Sequence, residues 1–192
     1  MLLQTWIQPI VHRRYGLYRL CLEAGDEVTL APVSLKTLVL GLGNDILSDD
    51  AVGLILARRL AKELSGIDGV EVRETMEMGL ALLDFLVGYD AVLILDAIQT
   101  GQVPPGTLHE VDPQGLGALT GRTPHFVGVG ETLALGRQLG LRMPDQVTVL
   151  AVEVEDPFTL GTQMTPAVDD AVPRVMERAL AVIREGLGKA AA

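Results

Sequence analysis

Three residues of metal-binding types lie where predicted strands end or predicted helices begin. Asp50 follows the apolar run LKTLVL and a glycine-containing turn, Asp96 directly ends the run AVLIL, and His125 belongs to the stretch GRTPHFVGVG. In an open parallel sheet, side chains just beyond the carboxyl ends of the strands converge on one edge, where ligands bind. Two carboxylates and one imidazole suit a divalent metal such as nickel, zinc or manganese. The sequence therefore predicts a metal-binding edge formed by Asp50, Asp96 and His125.

Two of these three residues fall in the first turn of a predicted helix. Ser48 is predicted to cap the helix that carries DDAVGLILARRL, which places Asp49 and Asp50 in its first turn. Thr123 is the corresponding cap before His125, and the proline between them suits the first helical position. A helix N-terminus favours an ionised carboxylate and a neutral imidazole, which are the states that bind a metal.

Each position also has an ordinary structural explanation. Acidic residues in a first helical turn interact favourably with the positive end of the helix and need no ligand, and we interpret Asp49 in this way. A histidine in a first turn is commonly structural too. Asp96 ends a buried strand, where a carboxylate is costly unless it is paired, hydrogen-bonded or bound to a cation. For Asp96 the alternative is a structural hydrogen bond to a neighbouring loop.

The glycines of GLGNDI raise a nucleotide-binding alternative. They supply two positions of a G-x-G-x-x-G fingerprint, but the third position is Ile46, and two adjacent aspartates follow that would repel a pyrophosphate. We expect Gly41, Gly43 and Asn44 instead to shape a turn beneath the metal-binding edge. The chain contains no H-E-x-x-H motif and no serine nucleophile elbow, which argues against a conventional zinc protease and against covalent serine catalysis.

The elements that must position these residues alternate regularly from residue 37 onward. This alternation predicts an α/β domain of three layers over residues 36–192, with a largely parallel twisted sheet of about five strands and helices on both faces. Strands are predicted near 37–42, 70–74, 91–96, 107–111 and 146–152, and helices near 49–64, 77–88, 126–140 and 168–186. Residues 1–35 are predicted to be an N-terminal extension, either flexible or folded as a hairpin around Gly25 and Asp26.

The composition excludes several classes of partner. The formal net charge of -10 repels phosphate backbones and anionic lipids, which argues against nucleic acid as a partner. A single cysteine, Cys21, provides neither a disulfide framework nor a cysteine zinc cluster, so we expect a reducing, cytoplasmic location. No apolar run approaches the roughly 20 residues of a membrane span, and the N-terminus lacks the features of a signal peptide.

Three of these stretches together resemble one known family. LVLGLGNDILSDDAVGLILARRL, then LILDAI, then TPH before a predicted helix are similar in order and spacing to the hydrogenase maturation endopeptidases, over about residues 37–188. The resemblance implies an endopeptidase that removes the C-terminal extension of a nickel-iron hydrogenase large-subunit precursor. It also implies that Asp50, Asp96 and His125 bind nickel already installed in that precursor and thereby restrict cutting to metal-loaded substrate. Nickel would then be supplied by the substrate.

One stretch departs from the family pattern. Many members have a short glycine-rich stretch that begins with Asp after the second strand, whereas this chain has ETMEMG from Glu74 to Gly79. The departure bears on which hydrogenase is processed. We interpret Met76 and Met78 as residues packed at the start of the following helix.

The alternative function is that of a non-catalytic nickel-chaperone or assembly module. Such a module would use the same three ligands, Asp50, Asp96 and His125.

Overall fold

The computed structural model describes the backbone of residues 10–12, 16–22, 28–32, 36–111 and 128–191, and the side chains of residues 36–111 and 128–186. The described residues form two compact units. One lies within residues 36–183, and the other comprises the described part of residues 1–35 together with residues 184–191. Within the smaller unit, strands β1 (Ile10–His12), β2 (Gly16–Leu22) and β3 (Val28–Pro32) form an antiparallel sheet in that order. Tyr18 of β2 pairs with Pro32 of β3, and Leu22 pairs with Val28.

The larger unit is built on a five-stranded sheet. Its strands are β4 (Thr37–Leu42), β5 (Val70–Thr75), β6 (Ala91–Ile98), β7 (Leu108–Val111) and β8 (Gln146–Glu153). They lie in the order β5-β4-β6-β8-β7, and only β7 runs antiparallel to its neighbour. Residues 99–107 contain no helix, and so short a connection cannot return the chain for a parallel pairing. The predicted largely parallel sheet is confirmed.

The helices differ more from their predicted bounds. The α-helices are α1 (Val52–Glu63), α2 (Leu83–Leu86), α3 (Val129–Gln138) and α4 (Pro166–Ala191), and 3-10 turns at Asp49–Ala51 and Gly79–Leu82 precede α1 and α2. The helix predicted over 77–88 is wrong in extent. The backbone N–H of Glu77 donates to the Thr75 hydroxyl, Met78 is extended and Gly79 has a positive φ, so no helix forms before residue 79. Residues 126 and 127 of the third predicted helix lie outside the described residues.

Helices cover both faces of the sheet. On one face, even-numbered residues of β4 and β6 such as Leu40 and Ile94 share an apolar core with Leu133 of α3. On the other face, Gly41 meets Gly53 and Ala57 of α1. Strand β4 is buried along its whole length, and β6 is buried beyond its first residue, as expected for central strands of a sheet with two covered faces. The three-layer prediction is therefore confirmed. None of the described helices is long and apolar enough to span a membrane.

Candidate functional site

Asp50 and Asp96 both lie at the carboxyl edge of the sheet. Strands β4 and β6 are parallel neighbours whose register pairs Gly41 with Leu95, so both strands end at the same edge. The 3-10 turn that contains Asp50 makes contact with β6, the strand that carries Asp96. The topology therefore places both residues at the same edge of the sheet, as the order of strands and turns in the sequence led us to expect.

Glycines hold the turn in close contact with the strand end. Gly43 has a φ of 147°, and a Cβ atom there would lie 2.1 Å from the backbone oxygen of Asp50. Both the backbone conformation and this close approach exclude a side chain at residue 43. Asn44 closes the turn, because its side-chain oxygen accepts from the N–H of Ile46 and its carbonyl oxygen accepts from the N–H of Leu47. The prediction is confirmed for Gly43 and Asn44, whereas Gly41 lies within β4 and contacts α1.

The Asp96 carboxylate is fully buried. Its residue is 0% exposed, and its Oδ1 accepts a 2.8 Å hydrogen bond from the backbone N–H of Ala97. Asp96 lies on the face of the sheet that α3 covers, because it alternates with Ile94 and Ile98 of the apolar core beneath that helix. An ionised carboxylate in such surroundings is costly without hydrogen bonds or a nearby positive charge. The Asp50 residue is almost as deeply buried, at 3% exposure.

Asp49 serves the structure of the neighbouring loop. Its Oδ1 accepts from the backbone N–H of Thr165 at 2.7 Å, and its Oδ2 accepts from the Thr165 hydroxyl and from the N–H groups of Glu155 and Asp156. Four donors therefore surround this buried carboxylate. The interpretation of Asp49 as a structural residue is confirmed, although it holds a distant loop instead of its own helix end.

Ser48 belongs to the same set of contacts, and its predicted role as a helix cap is wrong. Its hydroxyl donates to the carbonyl oxygen of Gln163 at 2.7 Å, and no side-chain cap bond is formed at either the 3-10 turn or α1. The Ser48 N–H donates to the Thr159 carbonyl oxygen at 2.9 Å. Residues 155–165 consequently lie along the turn that carries Asp50.

His125 and the predicted cap Thr123 lie outside the described residues, which resume at Gly128. The helix that follows is anchored near the carboxyl end of β5. The Thr132 hydroxyl donates to the carbonyl oxygen of Gly79, and a Cβ atom on Gly128 would lie 3.5 Å from the Gly79 Cα. Across residues 36–111 and 128–186, no three His, Cys, Asp or Glu side chains are grouped so that they could hold a metal ion. A three-ligand site that uses Asp50 and Asp96 thus needs a ligand from elsewhere.

An arginine that the sequence analysis did not single out bridges two loops at this edge. Arg58 of α1 donates to both carboxylate oxygens of Asp45, at 2.8 and 2.6 Å, and also pairs with Glu74 at 2.6 Å. The Arg58 guanidinium lowers the pKa of Asp45 below its usual value. Because Arg58 lies 13 and 16 residues from its two partners, no helical or strand periodicity signals the contact. The bridge joins the loop after β4 to the end of β5.

One buried carboxylate was also missed. Glu153 at the end of β8 accepts from the N–H and hydroxyl of Thr100, from the Gly101 N–H and from Nε2 of His109, at 2.8 to 2.9 Å. Burial acts to raise the pKa of Glu153, but these donors outweigh it and the pKa lies below its usual value. An acidic residue that directly follows an apolar run, as Asp96 also does in the sequence, was the available signal. The Glu153 contacts hold residues 99–101 against β7 and β8.

The interpretation of Met76 and Met78 as packed helix-start residues is wrong. Met76 is 61% exposed and Met78 is 45% exposed, because the chain between β5 and the 3-10 turn at Gly79 runs along the surface. Both side chains face solvent at the edge that carries Asp50 and Asp96. This stretch, from Glu74 to Gly79, is also where the sequence departs from the family pattern.

The positions of Asp50 and Asp96 are chemically suited to a divalent cation. Two carboxylates at one sheet edge attract a divalent ion, and their low-dielectric surroundings strengthen that attraction relative to water. Carboxylates are acceptable ligands for nickel, zinc and manganese. An added imidazole would complete a set of three ligands suited to these metals.

Comparison with known proteins agrees with this fold. The profile of the hydrogenase maturation protease family matches residues 55–182, a segment that includes Asp96 and His125 and begins just after Asp50. The hydrogenase 2 maturation protease of Escherichia coli is 29% identical over 153 residues, which cover 79% of this chain and 92% of that protein.

Two solved structures are similar over more than three-quarters of this chain. The hydrogenase maturating endopeptidase HybD from E. coli superposes with a TM-score of 0.69 at 30% identity, covering 79% of this chain and 94% of that one. The NiFe hydrogenase maturation protease HybD from Thermococcus kodakarensis superposes with a TM-score of 0.60 at 25% identity, covering 77% and 99% respectively.

Proposed function

Because the chain belongs to the hydrogenase maturation protease family, we propose that it removes the C-terminal extension of a nickel-iron hydrogenase large-subunit precursor after nickel insertion. The observation that carries the proposal is the position of two deeply buried aspartates, Asp50 and Asp96, at one carboxyl edge of the parallel sheet. That edge is where an α/β protein of this type binds its ligand.

Nickel enters this proposal as part of the substrate. Thiolates of the precursor hold the ion, and Asp50, Asp96 and His125 occupy coordination positions that the precursor leaves open. The protease then binds a nickel-loaded precursor more tightly than a nickel-free one. Carboxylates in low-dielectric surroundings attract a divalent ion more strongly than carboxylates in water do, which favours the nickel-loaded precursor.

In this proposal the residues of the chain bind and position the precursor. Attachment of the nickel centre at Asp50 and Asp96 fixes the neighbouring peptide bond relative to the sheet edge, and such positioning lowers the barrier to attack by water. The turn around Gly43 and the close contact of α1 with β6 hold the two carboxylates in place before the substrate arrives. A preorganised site of this kind loses little binding energy to rearrangement when the substrate binds.

The proposal is tested with purified precursor prepared with and without nickel. We expect the mass of the nickel-loaded precursor to fall by that of its C-terminal extension, and the mass of the nickel-free precursor to stay constant. Asp96→Ala and His125→Ala should abolish the change, whereas Asp169→Ala, at an exposed position of α4, should retain it. Equal cleavage of both precursors would contradict the nickel-sensing role.

The same experiment separates the protease from a nickel-chaperone or assembly module. A stable complex with the nickel-loaded precursor, unaccompanied by any change in precursor mass, would favour the non-catalytic role.

A further inference from the structure

Exposed apolar side chains are concentrated at the edge that carries Asp50 and Asp96. Nine large hydrophobic residues are exposed within residues 36–111 and 128–186, and six of them lie at this edge, five on loops and one in the 3-10 turn before α2. We call these six the apolar rim: Ile46, Met76, Met78, Leu80, Phe158 and Leu160. Isolated exposed apolar residues are ordinary, but their concentration on one edge marks an interaction surface.

Hydrogen bonds connect two of the loops that carry the rim. Leu47 and Leu160 form an antiparallel bridge, and the Gly161 N–H donates to the carbonyl oxygen of Ile46 at 3.1 Å. Ile46 and Leu160, at 61% and 74% exposure, therefore sit on two segments of chain that lie side by side. The loop after β4 and the loop after β8 present their apolar side chains as a single surface.

The third loop is tied to the same surface by Arg58. This side chain joins Asp45, next to Ile46, to Glu74, two residues before Met76. The apolar side chains that follow β5 are thus held beside those of the other two loops. A surface that is fixed before binding loses little conformational entropy when a partner docks.

The edge is also strongly acidic. The chain segments at the carboxyl edge, residues 43–51, 74–82, 96–106 and 154–165, contain eight Asp or Glu residues and no Lys, Arg or His. Arg58 reaches the edge from α1, but its charge is matched by Asp45 and Glu74. Glu77, between Met76 and Met78, and Glu155, which precedes Phe158 in the loop after β8, are both exposed. The electrostatic complement of this surface is a positively charged partner.

We propose that the apolar rim binds an apolar segment of the precursor that also carries Lys or Arg residues, adjacent to the bond that is cut. This inference rests on the proposed function for the identity of the partner. A chain whose nickel centre sits at Asp50 and Asp96 must cross this edge, so the segment beside the cleavage point meets the rim. The rim supplies the apolar contact area, and Glu77 and Glu155 select for positive charge.

The apolar part of the proposal is tested with the double variant Met76→Ser, Leu160→Ser. We expect KM for the nickel-loaded precursor to rise about tenfold with kcat unchanged, since the lost contacts are with substrate outside the reacting bond. The matched control, Leu139→Ser with Leu141→Ser, removes exposed apolar side chains near the end of α3 and should leave KM unchanged. An unchanged KM in the rim variant would overturn the proposal.

The charge part is tested with Glu77→Lys combined with Glu155→Lys. We expect kcat/KM to fall, and its dependence on salt concentration to become weaker than that of the wild type. Glu63→Lys with Glu177→Lys makes the same change in net charge at exposed positions of α1 and α4, and should behave like the wild type. Equal effects of the two double variants would show that net charge alone matters and would contradict recognition at the rim.

Direct binding separates failure of this inference from failure of the proposed function. The probe is a fluorescent synthetic peptide that spans the precursor cleavage site and its C-terminal extension. If the wild type cleaves no precursor but binds the peptide, and the rim variant binds it at least about tenfold more weakly, the docking surface stands and the protease function fails. If precursor is cleaved while both proteins bind the peptide equally, the function stands and the docking surface is wrong. A wild-type dimer in sedimentation that the rim variant cannot form would assign the rim to a second copy of the chain and overturn the proposal.

Discussion

Gly53 of α1 lies directly against the carbonyl oxygen of Leu95 on β6. A Cβ atom on Gly53 would come within 2.4 Å of that oxygen and within 2.2 Å of the Leu42 carbonyl oxygen on β4. Both distances are far shorter than a van der Waals contact. The missing side chain therefore lets the start of α1, and with it the turn that carries Asp50, rest on the ends of two central strands.

Gly53→Ala should destabilise the protein although alanine favours a helix. The added methyl group forces α1 away from two backbone carbonyl groups, which lowers the free energy of unfolding by about 1–3 kcal/mol. The higher helix propensity of alanine, worth about 1 kcal/mol, offsets only part of this loss. The measurement is urea-induced unfolding. Gly130→Ala in α3 is the control, because a Cβ atom there meets nothing within 4 Å. It should be neutral or stabilising, and an equal loss at both positions would contradict the close-contact explanation.

Asp49→Asn should lower the free energy of unfolding by about 1–3 kcal/mol. Both carboxylate oxygens accept hydrogen bonds, from four donors in all. Whichever way the asparagine amide is turned, its NH2 group therefore faces at least one backbone N–H. Urea unfolding measures the loss, and Asp169→Asn, at an exposed position in the first turn of α4, should change stability little. Wild-type stability in the Asp49 variant would show that the loop of residues 155–165 is held by other contacts.

Arg58→Gln should return the pKa of Asp45 toward its usual value near 3.8. Hydrogen bonds from the guanidinium favour the ionised carboxylate, so their loss makes protonation easier. An NMR titration of the Asp45 carboxyl group reports the change, and Arg59→Gln, at the exposed neighbouring position, is the control. The effect on overall stability should be at most about 1 kcal/mol, since both partners are nearly half exposed.

Glu153→Gln should reduce the acid sensitivity of the protein. The folded-state pKa of Glu153 lies below its usual value near 4.5, so its stabilising contribution is complete above that pH and is lost as pH falls through the folded-state pKa. The variant should be less stable than wild type at pH 7. It should also lose less stability than wild type between about pH 5 and about pH 3, the range in which carboxyl groups take up protons. Urea midpoints across this range measure both effects. Glu63→Gln, at the exposed end of α1, should follow the wild type.

The central strands were predictable because a strand that is buried on both faces has a continuously apolar sequence. LVLGL and AVLIL are apolar at every position, and both proved to be central strands covered on two faces. The helix expected over residues 77–88 failed because a local bond between Glu77 and Thr75 and the positive φ of Gly79 compete with helix formation. Such competition depends on side-chain hydrogen bonds that apolar periodicity does not detect.

The candidate site was only partly accessible from sequence. Asp50 and Asp96 could be assigned to one edge because parallel strands carry their following loops to the same side. Arg58 was missed because its partners Asp45 and Glu74 are distant in the chain. The predicted Ser48 cap failed for the same reason, since its hydroxyl bonds to Gln163 across the fold. His125 stays a prediction.

The sequence by itself determined the α/β class, the central strands and the sheet edge at which Asp50 and Asp96 lie, because these follow from local hydrophobic pattern and strand polarity. Tertiary structure alone decided which acidic residues serve the fold. Asp49 and Asp50 are adjacent and chemically identical, yet four donors from residues 155–165 surround Asp49. Contacts between segments more than 100 residues apart carry no local signal, so only the folded chain distinguishes the two.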